Sequence, residues 1–347
     1  MASTKPTVRW GIVATGMISS WFVNDLLIHR PDAEANHVIQ AIGSSSLEKG
    51  GRFAETHLHG RTTTVYGSYE EVYADTNVDV VYIGTPHAFH KKNCLDAIQK
   101  GKNVLCEKAF TLNAADAKEV FEAAEKKGVF VMEAMWTRYF PLTRTLQKVL
   151  HVDKDIGEVL RVFADFAQDQ KPASLPAGSR LKDRALGAGS LLDIGIYSLT
   201  WGLVALGQEG MPRIAASQQL ADGVDIATSM IISFPSGQQG ILTSTSVFHG
   251  PRPFCRVEGT KGTVVVEGDM ASMPQAFTVY FNDGRDPKRY DFEKPGMGLY
   301  WEADAVALDI EAGRKQNDIM PWSETIRVME IMDEVRRQGG AKFLHEE

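Results

Sequence analysis

The chain has 347 residues, of which 44% are hydrophobic, and it carries a formal net charge of −7. Its length exceeds what one hydrophobic core usually supports, which predicts two domains. The acidic balance, without a cluster of Lys and Arg, excludes nucleic acid as the main partner. Neither a signal-peptide pattern nor a run of about 18 apolar residues occurs, so we expect a cytoplasmic protein with no membrane partner.

The residue types that bind metals do not occur here at metal-binding spacings. Cys94, Cys106 and Cys255 form no CxxC pair, which predicts buried free thiols. His87 and His90 have no further Cys, Asp or Glu at a ligand spacing. No metal site is therefore predicted.

The first informative stretch, residues 10–19, is an apolar run that reaches a turn of small residues and continues as a helical pattern. Aligned with the dinucleotide fingerprint G-x-G-x-x-G/A, its three positions are Ala14, Gly16 and Ser19. Gly16 keeps the position where a side chain would block the pyrophosphate. Taken alone, this match fits a structural turn as well as a nucleotide site. The candidate cofactor-binding residues of the turn are Ala14, Thr15, Gly16, Met17 and Ile18.

Strands and helices alternate after this turn. Strands are predicted at 8–14, 37–44, 78–84, 103–107 and 129–135, and helices at 19–30, 47–57, 68–75, 88–100 and 113–127. This rhythm predicts a doubly wound parallel sheet, a Rossmann domain over residues 1–137. Ligands of such sheets lie at the carboxyl ends of the strands, which favours the nucleotide site. Those ends add as candidate cofactor-binding residues Thr85, Pro86, His87, His90, Glu107 and Lys108.

The end of the second strand indicates which dinucleotide binds. An acidic residue about 20 positions after the glycine turn would bind an unphosphorylated ribose, and none stands there. Ser44, Ser45, Ser46 and Lys49 offer hydroxyls and a cation to a 2′-phosphate instead. We therefore predict NADP over NAD, the alternative being that the serines only cap the next helix.

Two stretches carry groups suited to catalysis. Glu107 and Lys108 end a strand, so their side chains point to opposite faces and only one faces the cleft. Asp193 and Tyr197 lie four residues apart on a predicted helix, 193–206, and share a face. A reacting hydroxyl would explain this carboxylate and phenol among apolar neighbours. A structural hydrogen bond explains them equally well.

Strands without alternating helices follow from residue 159, which predicts an α+β domain over residues 138–347. Its open, mostly antiparallel sheet would have helices on one side only. We predict a homodimer in which a second subunit's sheet covers the other side. The apolar residues predicted to face outward are Ile231, Phe234, Val264 and Val266.

Two shorter segments stand beside the predicted sites. Trp136 and Arg138 follow the last strand of the first domain and are candidate substrate-binding residues, with a plain hinge as the alternative. Residues 171–184, rich in Pro, Ser and Lys, are predicted to be a mobile loop close in sequence to Asp193.

Five separated stretches resemble the motifs of one family over nearly the full length: residues 11–19, Gly84-Thr85-Pro86-His87, Val104-Leu105-Cys106-Glu107-Lys108, Met132-Glu133-Ala134-Met135-Trp136-Thr137-Arg138 and Leu192-Asp193-Ile194-Gly195-Ile196-Tyr197. The chain is similar to the Gfo/Idh/MocA oxidoreductases, and within them to the branch of NADP-dependent D-xylose 1-dehydrogenases and dimeric dihydrodiol dehydrogenases. The resemblance implies that Lys108 and Tyr197 form the catalytic pair, with Asp193 beside them. Ala109 departs from the family's usual Glu-Lys-Pro, and Glu-Lys-Ala-Phe resembles the D-xylose branch.

The function that the resemblance implies is NADP-dependent oxidation of a pyranose at its C1 hydroxyl. D-xylose, giving D-xylonolactone, is the preferred substrate of this hypothesis, with Tyr197 accepting the proton. Oxidation of arene trans-dihydrodiols is the enzymatic alternative. A non-catalytic NADP-binding sensor on the same fold is the alternative from another class.

Overall fold

The computed structural model describes residues 5–344 and divides into two compact units. The first unit holds the residues up to Thr111, together with Ala115–Trp136 and Lys294–Ile326. The second holds Leu112–Ala114, Thr137–Glu293 and the residues from Arg327 onward. The predicted single boundary between 137 and 138 does not include this return of the chain to the first unit.

Strands and helices alternate through the first unit: β1 (Thr7–Val13), α1 (Met17–Leu26), β2 (Asn36–Gly43), α2 (Leu47–Leu58), β3 (Thr64–Tyr66), α3 (Tyr69–Ala74), β4 (Val80–Ile83), α4 (His90–Gln99), β5 (Asn103–Glu107), α5 (Ala114–Lys127) and β6 (Val131–Ala134). The strands form one six-stranded parallel sheet in the order β3-β2-β1-β4-β5-β6. The strand order reverses between β1 and β4, where such sheets bind their ligands. The predicted doubly wound Rossmann sheet is confirmed, and only the three-residue edge strand β3 was not predicted.

Aromatic side chains fix α1 against this sheet. Trp10 of β1 meets Phe22 of α1 edge to face, with ring centroids 5.1 Å apart. Phe22 in turn stacks on Tyr82 of β4 at 3.9 Å. All three rings are buried, so the helix that follows the glycine turn is held in place by packing rather than by its own propensity.

One carboxylate of α1 binds the backbone at the start of the returning segment of the first unit. Asp25 of α1 accepts hydrogen bonds from the backbone N–H groups of Met297, Gly298 and Leu299, at 2.9, 2.7 and 2.8 Å. These groups lie directly before helix α8 (Tyr300–Glu311) and would otherwise be unsatisfied. Burial raises the pKa of Asp25, and the three N–H donors oppose that rise.

The second unit is built mainly from strands: α6 (Pro141–Gln147), β7 (Val159–Ala167), α7 (Ile196–Leu206), β8 (Arg213–Ala221), β9 (Val224–Ser233), β10 (Gln239–Thr245), β11 (Pro253–Gly259), β12 (Gly262–Met270), β13 (Met273–Phe281), β14 (Lys288–Asp291) and part of α9 (Trp322–Gly339). Its eight-stranded sheet has the order β14-β13-β12-β11-β7-β10-β9-β8. Every pair is antiparallel except β7 with β10. The predicted open, mostly antiparallel sheet is confirmed.

The predicted outward residues of this sheet are largely wrong. Val264, Val266 and Phe234 are buried, and only Ile231 is exposed. Alternation along a strand is visible in the sequence, but nothing in it says which of the two faces the helices cover. Val264 and Val266 lie on the buried side of β12, and the intervening residues of the strand are the partly exposed ones.

One segment, Arg184–Leu206, is long and apolar enough to cross a membrane by length and composition. The apolar window of that segment is completely buried inside the protein. This burial is typical of a core helix, and α7 makes up the C-terminal part of the segment.

Candidate functional site

The glycine turn leads into an uncapped helix. Helix α1 begins at Met17, two residues before the predicted start at 19, and Gly16 is its N-cap. The first turn has no side-chain cap and no acidic residue, and the hydroxyl of Ser20 donates to the carbonyl of Met17 at 2.6 Å. Unpaired N–H groups at a helix N-terminus attract anions such as a pyrophosphate.

The space above Gly16 is open. A Cβ built at Gly16 would meet no atom of the protein within 4 Å, and its φ of −83° is ordinary for any residue. The chain's own packing therefore gives no reason for a glycine, whereas close approach of a ligand to the backbone does. Ala14 at the first fingerprint position has φ 77°, the left-handed conformation that a glycine would adopt freely.

The residues that follow β2 are the ones predicted to distinguish NADP from NAD at the ribose. Ser44 is buried, and its hydroxyl lies 3.3 Å from that of Thr15, which joins the ends of β1 and β2. Ser46 caps α2 by accepting from the N–H of Lys49 at 3.2 Å. The capping alternative thus applies to Ser46, while the side chains of Ser45 and Lys49 are exposed.

His90 supports the ends of two strands. Its Nε2 and Nδ1 lie 2.7 and 3.0 Å from the carbonyl oxygens of Thr85 and Ala109, and the ring is completely buried. Burial lowers the pKa of His90, and the two carbonyls oppose that change. The prediction that His90 binds the cofactor directly needs correction, because its side chain has no accessible surface. Thr85 and His87 are nearly buried, and Pro86 is partly exposed.

Glu107 and Lys108, at the end of β5, differ in burial. Glu107 is buried and accepts a hydrogen bond from the hydroxyl of Tyr82 at 2.6 Å. Burial keeps the pKa of Tyr82 well above its usual value, so it is a neutral donor. Lys108 directly after β5 is less buried, and the peptide bond to Ala109 is cis. Glu107 is thus a support within the unit rather than a surface group.

In the second unit, Asp193 lies in a π-helical turn, Leu191–Gly195, directly before α7. The regular helix therefore begins later than the predicted 193. The Asp193 carboxylate accepts from Nε2 of Gln170 at 2.8 Å and from Nη1 of Arg180 at 3.1 Å. Tyr197 packs edge to face on Phe166 at 5.6 Å. Single π-helical turns occur frequently at functional sites.

Asp225 of β9 fixes the start of this turn and was not among the predicted residues. Its carboxylate accepts from the N–H of Leu191 at 2.7 Å and from the hydroxyls of Ser190 and Thr228 at 3.0 and 3.3 Å. Burial raises the pKa of Asp225 to about 6. No motif signals this role, because a lone Asp within a strand pattern gives no information about the loop that it contacts.

The remaining predicted residues occupy buried positions. Trp136 belongs to the first unit and Arg138 to the second. Between them, the hydroxyl of Thr137 donates to the carbonyl of Ser272 at 2.7 Å. Across residues 5–344, no group of three His, Cys, Asp or Glu side chains is arranged to hold a metal ion.

Comparison with known proteins matches both units. Residues 8–135 match the oxidoreductase family with an NAD-binding Rossmann fold, and residues 143–265 match the GFO/IDH/MocA C-terminal domain. The chain is 36% identical to D-xylose 1-dehydrogenase (NADP(+)) of Hypocrea jecorina, covering 99% of this chain and 95% of that protein. It is 34% identical to trans-1,2-dihydrobenzene-1,2-diol dehydrogenase of Sus scrofa, covering 97% and 98%.

Solved structures share the fold at lower identity. Levoglucosan dehydrogenase, in complex with NADH and levoglucosan, has a TM-score of 0.83 at 20% identity and covers 96% of this chain and 97% of its own. Aldose-aldose oxidoreductase of Caulobacter crescentus has a TM-score of 0.82 at 22% identity, covering 96% and 98%. With both units matched and relatives above 30% identity over nearly the whole length, this chain belongs to the Gfo/Idh/MocA family of oxidoreductases, with an NAD(P)-binding Rossmann fold.

Proposed function

We propose that the protein is an NADP-dependent dehydrogenase that oxidises the C1 hydroxyl of a pyranose, with D-xylose giving D-xylonolactone as the first candidate reaction. The observation that carries this proposal is the nearly full-length likeness to the D-xylose 1-dehydrogenase of Hypocrea jecorina. Such a reaction needs residues that bind the cofactor and residues that move the proton, and we assign this chain's residues to a cofactor-binding group and a catalytic group.

The cofactor-binding group lies at the carboxyl ends of β1, β2 and β4. The open space above Gly16 and the uncapped start of α1 suit the pyrophosphate. Ser45, Ser46 and Lys49 offer hydroxyls and a cation where an acidic residue would favour NAD. This donor set supports NADP as the cofactor, since a phosphate dianion binds best to charged and hydroxyl donors.

The catalytic group consists of Lys108, Tyr197 and Asp193. Tyr197 accepts the proton of the C1 hydroxyl, and Asp193, one turn earlier, orients the reacting groups. A free tyrosine has a pKa of about 10, so a cation such as the Lys108 ammonium is needed to stabilise the phenolate at neutral pH. When bound, the nicotinamide supplies the hydride acceptor for C1. The sugar thus loses a hydride and a proton and becomes the lactone.

The decisive experiment compares the wild type with Tyr197→Phe. Wild-type enzyme should reduce NADP⁺ with D-xylose, measured by absorbance at about 340 nm, more efficiently than NAD⁺. Tyr197→Phe should lose turnover by roughly 100-fold or more, because a positioned acid–base group contributes that much. NADPH binding by the variant, followed by fluorescence titration, should be unchanged. Near-normal turnover of the variant would contradict the assignment of Tyr197.

Likeness to the dihydrodiol dehydrogenase of Sus scrofa supports a second candidate substrate, an arene trans-dihydrodiol. Initial rates on D-xylose, D-glucose and a benzene dihydrodiol separate the two candidates. A protein that binds NADPH but oxidises none of these polyols would instead be a sensor, the alternative from a different class.

We also propose a homodimer formed through the open face of the eight-stranded sheet. Ile231, Ile241, Phe163, Arg256 and Val265 pair in register across β9, β10, β7, β11 and β12. None of the five is buried, and the guanidinium of Arg256 lies 4.3 Å from the Phe163 ring centroid. A continuous row of this kind is larger than the scattered apolar residues normal on a surface.

A further inference from the structure

The segment between β7 and the π-helical turn, residues 168–189, is called here the connecting segment. It begins as an extension of the sheet, because the N–H groups of Gln168 and Gln170 donate to the carbonyls of Thr245 and Ser246 at 3.0 and 2.9 Å. Near its end, Nε and Nη2 of Arg184 donate to the carbonyl of Lys342 at 3.2 and 2.8 Å. Both ends of the segment are therefore anchored within the second unit.

Between these anchors, the connecting segment engages both oxygens of one carboxylate. Gln170 donates to Oδ2 of Asp193, and Arg180 donates to Oδ1. The two oxygens thus face donors of different charge, which fixes the plane of the carboxylate more firmly than one bond would. Both bonds have a charged acceptor, and only Arg180 is also a charged donor, so the Arg180 bond is the stronger of these two restraints on Asp193.

The two partners of the ion pair differ in exposure. The side chain of Asp193 is 10% exposed, whereas that of Arg180 is 46% exposed. Within residues 5–344, Asp193 is the only side-chain hydrogen-bond partner of Arg180, and the bond uses one of its five N–H donors. The guanidinium therefore reaches a nearly buried carboxylate while it keeps unused donors at the surface.

We propose that Arg180, assisted by Gln170, is a positioning residue for Asp193 and a recognition residue for the further hydroxyls of a polyhydroxylated substrate. The inference deepens the proposed function and rests on it for the substrate. A guanidinium presents its donors in a rigid planar fork that fits neighbouring oxygens in pairs. A sugar carries several hydroxyls beyond the reacting one, whereas an arene dihydrodiol carries a single further hydroxyl. The connecting segment thereby favours the sugar.

Steady-state kinetics test the recognition of hydroxyls by Arg180. Arg180→Ala should raise KM for D-xylose by roughly tenfold, the effect of losing hydrogen bonds to a charged group, and KM for a benzene dihydrodiol by less than about threefold. Arg180→Lys, which keeps the charge but not the fork, should recover part of the loss. Lys182→Ala is the matched control, since it removes a cation from the same segment, and it should behave as wild type. Equal kinetics of Arg180→Ala and Lys182→Ala would overturn the recognition role.

A second measurement tests the restraint on Asp193 without any turnover. Hydrogen exchange of the backbone amides in the connecting segment measures its local opening. Arg180→Ala and Asp193→Asn should each accelerate exchange there severalfold, and the double variant should be no faster than either single variant. Effects that multiply in the double variant, or exchange as slow as in Lys182→Ala, would overturn the restraint. If the wild type oxidises no polyol, the proposed function and the recognition role fail, and the exchange rates still decide the restraint.

Discussion

Gly16 and Gly84 both lie in the first unit, and each position requires a glycine for a different physical reason. A Cβ at Gly16 meets nothing, whereas a Cβ at Gly84 would collide with Oγ of Ser19 and lie 3.1 Å from Cε1 of Tyr82. The first glycine leaves space for something outside the chain. The second lets the strand end and α1 pack closely.

The same substitution at these two positions should therefore have different effects. Gly16→Ala should leave the melting temperature nearly unchanged and weaken NADPH binding by roughly tenfold or more, because the Cβ occupies the space of the pyrophosphate. Gly84→Ala, the matched control, should lower the melting temperature through overpacking. Thermal unfolding and fluorescence titration measure the two properties. Undiminished NADPH binding by Gly16→Ala would contradict the cofactor site at this turn.

The sequence was sufficient to find polar residues at the strand ends, but not to tell which of them face a ligand and which support the fold. His90 and Glu107 have the chemistry of site residues, and both prove to be buried supports bonded to Thr85, Ala109 and Tyr82. Whether a polar side chain faces a cleft or a backbone carbonyl depends on neighbours far away in sequence. Asp193 and Arg180 show the same limit, because their ion pair joins positions with no shared pattern.

Elements with strong periodicity were predicted well. β5 has the predicted bounds, and Ser68 caps α3 together with Glu71, as the S-x-x-E spacing indicates. The edge strands β3 and β14 were missed because three or four residues are too few to reveal alternation. The π-helical turn before α7 was also missed, since the N–H group at its start is bound by Asp225 of another element.

The stability of that turn should depend on pH through Asp225. The folded-state pKa of Asp225, about 6, lies above the usual aspartate value of about 3.9, so protonation favours the folded state. The resulting stabilisation is complete below the unfolded pKa and is lost as the pH rises through about 6. Between pH 7.5 and 5, the free energy of unfolding of the wild type should therefore gain on the order of 1 kcal/mol relative to Asp225→Asn, which cannot titrate.

Urea unfolding of both proteins at the two pH values measures this difference. The other titrating groups are common to the two chains, so their effects cancel in the comparison. Parallel changes in the wild type and in Asp225→Asn would show that the Asp225 carboxylate does not respond to its burial as described.

For the whole molecule, composition and periodicity were sufficient to predict two units of different classes, and both sheets were assigned correctly. The return of Lys294–Ile326 to the first unit was not predictable, because it depends on long-range contacts. Asp25 accepts three N–H groups about 270 residues later, and Asp304 pairs with Arg30 and His37. The covered face of the second sheet was also assigned wrongly. A two-residue period defines two faces without labelling them, so only the packed helices reveal which one is open.

The open face of the second sheet is the proposed dimer interface, and a single charge placed there should disrupt it. Ile241 is an interior member of the cross-strand row, paired with Ile231 on one side and Phe163 on the other. In a homodimer formed through this face, Ile241→Glu would bury two like charges near each other, so the dimer should weaken by roughly 100-fold or more. Val152→Glu is the matched control, because Val152 is a highly exposed apolar residue outside the strands.

Sedimentation equilibrium of the wild type and the two variants decides the assembly. Wild type and Val152→Glu should sediment as dimers of the 38.2 kDa chain, and Ile241→Glu as a monomer with unchanged circular dichroism. The row contains one charged residue, Arg256, which is flanked in register by Phe163 and Val265. Salt screens charges but leaves apolar contacts in place, so high salt should weaken the dimer less than the Ile241→Glu substitution does. A wild type that sediments as a monomer at micromolar concentration would refute the open face as a stable dimer interface.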